Sequence, residues 1–297
     1  MPESSAQPLS TDTASVAPPA QPSEPVLGAV EEAPSSWQVQ LLPLAWRDPW
    51  RWLARGAQDV RRAWGVALFY GLCFWGMALV LAWVFRARPE YVMSLVSGCL
   101  LLGPFLAMGL YDTSRRLEQG LAPDLGSSIT SWDRNLGGMA MLVLVLIVLE
   151  LLWGRASLVV FAVFFHTGMP STTGVLQTLL QPENWEFIAV YTAVGGVFAL
   201  LVYGLSAVAM PLMLERGTDA LTACITSMRV VLGNLGVMLL WGVMLTVVIV
   251  ASLLVLQGVL LVVTGPVLGC ATWHAYRSAM QPVDRGPAAA AETDATA

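Results

Sequence analysis

Apolar residues along this chain run in unbroken blocks instead of the periodic stripes that mark a core surrounded by water. The blocks from Trp64 to Phe85 and from Tyr91 to Tyr111 are each long enough to cross a hydrocarbon layer about 30 Å thick at about 1.5 Å per helical residue. Leu136 to Phe165 is too long for one ordinary crossing and is interrupted by Glu150 and Arg155, so the pattern predicts a third span at 137–153 with an outer-surface segment after it. Trp185 to Leu214 supplies a fourth. Leu235 to Tyr276 would reach about 63 Å as one helix, about twice the layer, and so must fold back near Ser252 to Gly258 to give a fifth and a sixth. The predicted class is all-α: a polytopic transmembrane bundle of about six spans.

A shorter pattern recurs ahead of the spans. Leu53, Ala57, Val60 and Trp64 are spaced i, i+4, i+7, i+11, one face of an α-helix. Leu125, Ile129, Trp132 and Leu136 repeat that spacing, as do Leu221, Ile225, Met228 and Leu232. Gly65, Gly137 or Gly233 follows each copy, and the next returning span carries Pro104, Pro211 or Pro266. A proline frees a backbone carbonyl and kinks a membrane helix, which is tolerated where neighbours satisfy that carbonyl. The expected unit is therefore one surface helix plus one hairpin of spans, present three times. Asp48 and Pro49 read as the N-cap and first residue of the first surface helix. Its Arg51, Arg55 and Arg62 would face lipid headgroups, with Trp50 and Trp64 sunk as anchors beside them and Trp273 anchoring the last span. A solvated helix packed on the loops has the same pattern.

Charge sets the orientation. All fifteen basic residues are arginine, and with the N-terminus inside, twelve fall on inner segments and three, Arg86, Arg88 and Arg155, on outer ones. Positive charge concentrates on cytoplasmic loops, so both termini are expected in the cytoplasm. Residues 1–36 contain no basic residue, unlike a secretory leader, and read with 278–297 as disordered cytoplasmic tails, the first acidic. Between them lie an interfacial helix region at 37–63 and the membrane domain at 64–277. Only 12% of residues are charged, about half the usual share for a soluble domain.

Candidate chemistry is sparse. Glu150 and Arg155 are ionisable within an apolar run and invite a relay or gate. Five positions on a helix lie about 140° apart, so they pair only if Gly154 breaks it, and Arg155 can instead snorkel to the outer interface. His274 and His166 fall at opposite membrane faces and cannot converge on a haem or copper ion. Met139, Met141, Met210 and Met213 suit a soft cation or an irregular core. Gly265 with Gly269, and Gly103 with Ala107, form small faces suited to close helix contact. Cys73, Cys99, Cys224 and Cys270 are far apart, as free thiols would be. Ser171, Thr172 and Thr173 have no base nearby in sequence. No catalytic, cofactor-binding or metal-ligating set is nominated, and no cofactor is expected.

The run Asp48-Pro49-Trp50-Arg51-Trp52-Leu53, the segment Gly103-Pro104-Phe105-Leu106-Ala107-Met108-Gly109-Leu110-Tyr111, Ser114-Arg115-Arg116 and His274-Ala275-Tyr276-Arg277 together resemble the domain-of-unknown-function family numbered 2189. That family is one of uncharacterised bacterial integral membrane proteins, and the resemblance spans about residues 40–278. It implies a multi-pass protein of the bacterial inner membrane, with no activity or ligand to carry over. Asn234-Leu235-Gly236 departs from the Asn-Pro-Gly turn expected there. The expected role is a non-enzymatic scaffold, assembly or regulatory factor whose partners are the lipid bilayer and other inner-membrane proteins, and not nucleic acid. A small-molecule or lipid transporter or channel is the alternative, and a membrane-embedded enzyme a more distant one.

Overall fold

Helix formation accounts for nearly all of the backbone in the computed structural model, which describes residues 42–88, 92–164 and 185–280. Residues 1–36, 281–297, His166 and Ser171 to Thr173 lie outside these residues; the tail expected from 278 begins later, because the last helix continues to Ala279 and Met280 is buried. In chain order the helices are α1 (Asp48–Arg62), α2 (Trp64–Ala87), α3 (Val92–Glu118), α4 (Leu125–Ile129), α5 (Leu136–Phe164), α6 (Trp185–Ser206), α7 (Ala209–Arg216), α8 (Ala220–Gly233), α9 (Leu235–Leu254) and α10 (Leu261–Ala279). A 3-10 turn at Ser131–Asn135 leads into α5.

Among the described residues, four helices are long and apolar enough to cross a membrane: Trp64–Ala87, Leu136–Phe164, Trp185–Arg216 and Leu235–Leu254. The second runs without a break through Gly154, so its 29 residues extend about 43 Å and the helix continues unbroken from 153 to Phe164. Trp185–Arg216 takes in α6, a turn and α7. Pro211 is the third residue of α7, where a helix leaves its N–H groups without intrahelical acceptors, so the break falls ahead of the proline. Pro104 and Pro266 lie inside α3 and α10. The fold-back between α9 and α10 is a tight turn in which Gln257 and Gly258 take φ of 54° and 82°. Ser252 Oγ and Thr264 Oγ1, 2.9 Å apart, tie its two arms together.

Packing turns the expected amphipathic faces by one residue. The stripe that α1 buries is Trp52, Gly56, Asp59 and Ala63, and that of α8 is Ala220, Cys224, Ser227 and Val231. Leu221 and Leu232 stand 68% and 63% exposed. In the second copy α4 stops at Ile129, and the buried residues are Ser128 and Ser131; the side chain of Trp132 lies outside those described. The physical reason is the solvent. Small and polar residues let helices approach in lipid, while large apolar ones are stable facing outward.

These short helices rest on different partners: α1 chiefly on α10, α4 on α3, and α8 on α6 and α7. Gly56 makes the first contact close, since a Cβ there would lie 2.6 Å from Val267 O. Gly71 of α2 does the same against α10, 2.0 Å from Val262 O. Gly265 and Gly269 pack against Phe74 and Leu110 of the same chain. Asp48 does not cap α1: it is the first helical residue, and its Oδ2 accepts the N–H of Ala45 at 2.7 Å. The segment ahead of α1 is held to the α8–α9 junction by Asn234, whose Oδ1 accepts the N–H of Leu44 at 2.9 Å, and by Trp46, which covers Gly236.

Candidate functional site

Ionisable side chains from four helices converge at one end of the bundle. Asp59 reaches inward from α1 and His274 and Arg277 come from α10, while Glu118 ends α3 and Glu215 stands in the last turn of α7. Asp59 and His274 are each 6% exposed. A charge buried to that degree is tolerated where it is paired, because leaving water costs more than an exposed ion pair returns. Nε2 of His274 donates to Asp59 Oδ2 at 2.8 Å. Its other nitrogen, Nδ1, makes no hydrogen bond and lies 3.6 Å from Glu118 Oε1.

Glu118 turns its second oxygen to Arg277 Nε at 3.2 Å, and Arg277 donates from a terminal nitrogen to Glu215 Oε1 at 2.9 Å. The hydroxyl of Tyr276 donates to the remaining oxygen of Glu215. One guanidinium thus bridges acids from α3 and α7, a geometry that lysine's single ammonium does not offer. Nearby on α3, Arg115 pairs with the buried Asp112.

A hydroxyl cluster beside this network locks α2, α3 and α4. Tyr70 passes over Gly109 to reach Ser128 Oγ at 2.9 Å, and Ser128 and Thr113 donate to Gly109 O at 2.7 and 2.8 Å. Any side chain at 109 would occupy the place of the Tyr70 ring, since a Cβ would lie 1.8 Å from its oxygen.

Two cavities flank these groups. One, of about 210 Å³, is lined by Arg55, Gln58, Asp59, Arg62, Glu118 and His274. The other, of about 320 Å³, lies beside Pro104, with Tyr203, Trp241 and Thr272 among its walls, which are mainly apolar. The hydroxyls of Tyr203 and Thr272 donate to Met238 O and Leu268 O.

The residues singled out in the sequence are scattered. Glu150 and Arg155 stand on the unbroken α5, about 140° apart around its axis and far along the chain from the network. Trp50 and Trp64 are exposed, and Arg51 pairs with Asp48 at 3.1 Å. Trp273 is not an interfacial anchor: at 0% exposure it is part of the core, because α1 and α7 cover that face of α10. Met139 and Met213 fill the same core, and all four cysteines are free thiols. Among the described residues, no three His, Cys, Asp or Glu side chains are grouped to hold a metal ion.

Residues 91–215 match the model of DUF2189, predicted integral membrane proteins. The chain is accordingly an integral membrane protein with transmembrane helices. No curated protein and no solved structure matches it. The DUF2189 match is narrower than the stretch 40–278 over which motifs resemble the family, running from the start of α3 to the end of α7. It includes Asp112, Arg115, Glu118 and Glu215. Their partners Asp59, His274 and Arg277 lie on either side of it. Sequence reading missed the network because its members are separated by up to 218 positions, Asp59 to Arg277. The available signal was an acid on the inward stripe of α1 and a histidine and arginine three positions apart on α10.

Proposed function

We propose that this protein is a non-enzymatic scaffold or assembly factor for other machinery of the bacterial inner membrane. In this reading it has six spans in three units and both termini in the cytoplasm. α3 and α10 complete the six. Each carries an internal proline and ends in charged residues, which lowers its apolarity. The units are α1 to α3, α4 to α7, and α8 to α10. Each short helix rests on the returning helix of the unit before it, and α1 rests on that of the last, which closes a ring.

The observation that carries the functional reading is the use of buried charge. Asp59 and Glu118 of the first unit, Glu215 of the second, and His274 and Arg277 of the third neutralise one another at one end of the bundle. Such a network favours a fixed frame over a moving gate, since shifting any one helix strands a buried charge. The transporter reading draws on the cavity beside Pro104 and on Glu150 and Arg155. Its walls are mainly apolar, and its Tyr203 and Thr272 hydroxyls are already bonded to backbone.

Full-length tagged protein, solubilised from its own membranes in mild detergent, tests the proposal. A membrane protein should co-purify in stoichiometric amount and be absent from an untagged control. Recovery of the bare chain across several detergents would argue decisively against a scaffold.

A further inference from the structure

Arg55 and Arg62 stand two turns apart on α1, with Gln58 between them, and all three are exposed at the mouth of the pocket of about 210 Å³. The acids in its wall are already engaged, Asp59 by His274 at 2.8 Å and Glu118 by Arg277 at 3.2 Å. Among the described residues, neither Arg55 nor Arg62 forms an ion pair. The unspent charge of the pocket is therefore positive.

Its floor is equally specific. His274 is more than nine-tenths buried and lines the pocket, its Nε2 held by Asp59 at 2.8 Å and its Nδ1 lying 3.6 Å from Glu118 Oε1. The level in the membrane also follows. Arg62 lies two residues before Trp64, the first residue of a membrane-crossing helix, so the mouth stands where hydrocarbon gives way to phosphates.

We propose that this pocket binds the phosphodiester of a glycerophospholipid headgroup. Arg55 and Arg62 grip its oxygens, with Gln58 between them and the imidazole of His274 in the wall below. Guanidinium suits the task because it presents paired N–H donors to phosphate oxygens and stays charged near a bilayer. The volume equals that of about seven waters, room for a headgroup. The inference rests on the membrane setting and is independent of the scaffold reading.

The test uses the full chain in nonionic detergent, which removes any charged surface, titrated with short-chain phosphatidylglycerol and followed by native mass spectrometry and thermal unfolding. Wild type should retain one lipid and unfold at a higher temperature with it. The Arg55→Gln/Arg62→Gln double variant should bind about thirtyfold more weakly, at about 1 kcal/mol for each arginine. An equally charged control, Arg47→Gln/Arg61→Gln, should bind as wild type does. Both pairs are exposed, so folding of each variant is confirmed by its melting in the absence of lipid. Equal weakening by the two double variants, or none by the first, overturns the proposal. Inorganic phosphate alone raising the unfolding temperature as far as the lipid does would assign the site to free phosphate and overturn the headgroup.

Discussion

Asp59 shares the inward stripe of α1 with Trp52, Gly56 and Ala63, and its carboxylate is the only ionised group in that stripe. Its removal exposes the cost of a half-broken pair. Asp59→Ala leaves Nε2 of His274 buried without an acceptor, which should lower stability by about 1–3 kcal/mol in thermal unfolding of the detergent-solubilised protein. The double change Asp59→Leu/His274→Phe should recover much of that loss, since apolar side chains of similar size need no partners. A double variant no more stable than Asp59→Ala would mean that the pair contributes more than mutual neutralisation. At this scale the sequence was partly legible. Arg55 and Arg62 were read as facing headgroups, whereas Asp59 drew no attention, because its partner is 215 positions away.

At the scale of elements, the pattern of hydrophobicity located most helices well and their faces less well. The starts of α2, α5 and α9 at Trp64, Leu136 and Leu235 follow the expected junctions, and the α9–α10 turn falls within the expected fold-back. The faces came out one residue off in α1 and α8, since an apolar stripe points to the core in water and away from it in lipid. The starts of α4 and α8 have a local cause that the apolar pattern does not carry: Asp124 and Asp219 cap them by accepting the N–H groups of Ser127 and Thr222 at 2.8 and 3.0 Å. Those bonds hold both carboxyls below the ordinary aspartate range. A depressed value in the folded state means that the caps contribute fully above the unfolded value, about pH 4, and that their contribution fades as pH falls through the folded one. Hydrogen exchange in the first turn of α8 should therefore quicken as pH is lowered below about 4, relative to the intrinsic rate. Asp219→Asn should keep the cap and lose this dependence, and Asp219→Ala should cost about 1 kcal/mol at neutral pH. Unchanged protection of that turn in Asp219→Ala would remove the cap from the account.

For the whole molecule, the decisive question is which ends share a compartment. Reporter domains fused after Arg88 and after Gln119 bracket α3 and should report opposite sides of the membrane, the second of them cytoplasmic. If both reporters were found on one side, α3 would not be a span and the six-span arrangement would fail. Span number and orientation were read from length and arginine placement alone, which is why they reach only as far as the apolar blocks do. How the helices meet was beyond the sequence, because lipid supplies no hydrophobic drive between helices and the contacts rest on small residues such as Gly56 and Gly71.

The seating of α1 against α10 also bears on the order of events at the ribosome. Among the described helices the first to be synthesised finds its main partner in the last, and Leu44 and Leu42 have no partners until Asn234 and Ala279 have been made. Until then Asp59 has no imidazole and the face around Trp52 has no cover. A chain interrupted before α10 would thus leave an acidic seam open beside Trp52.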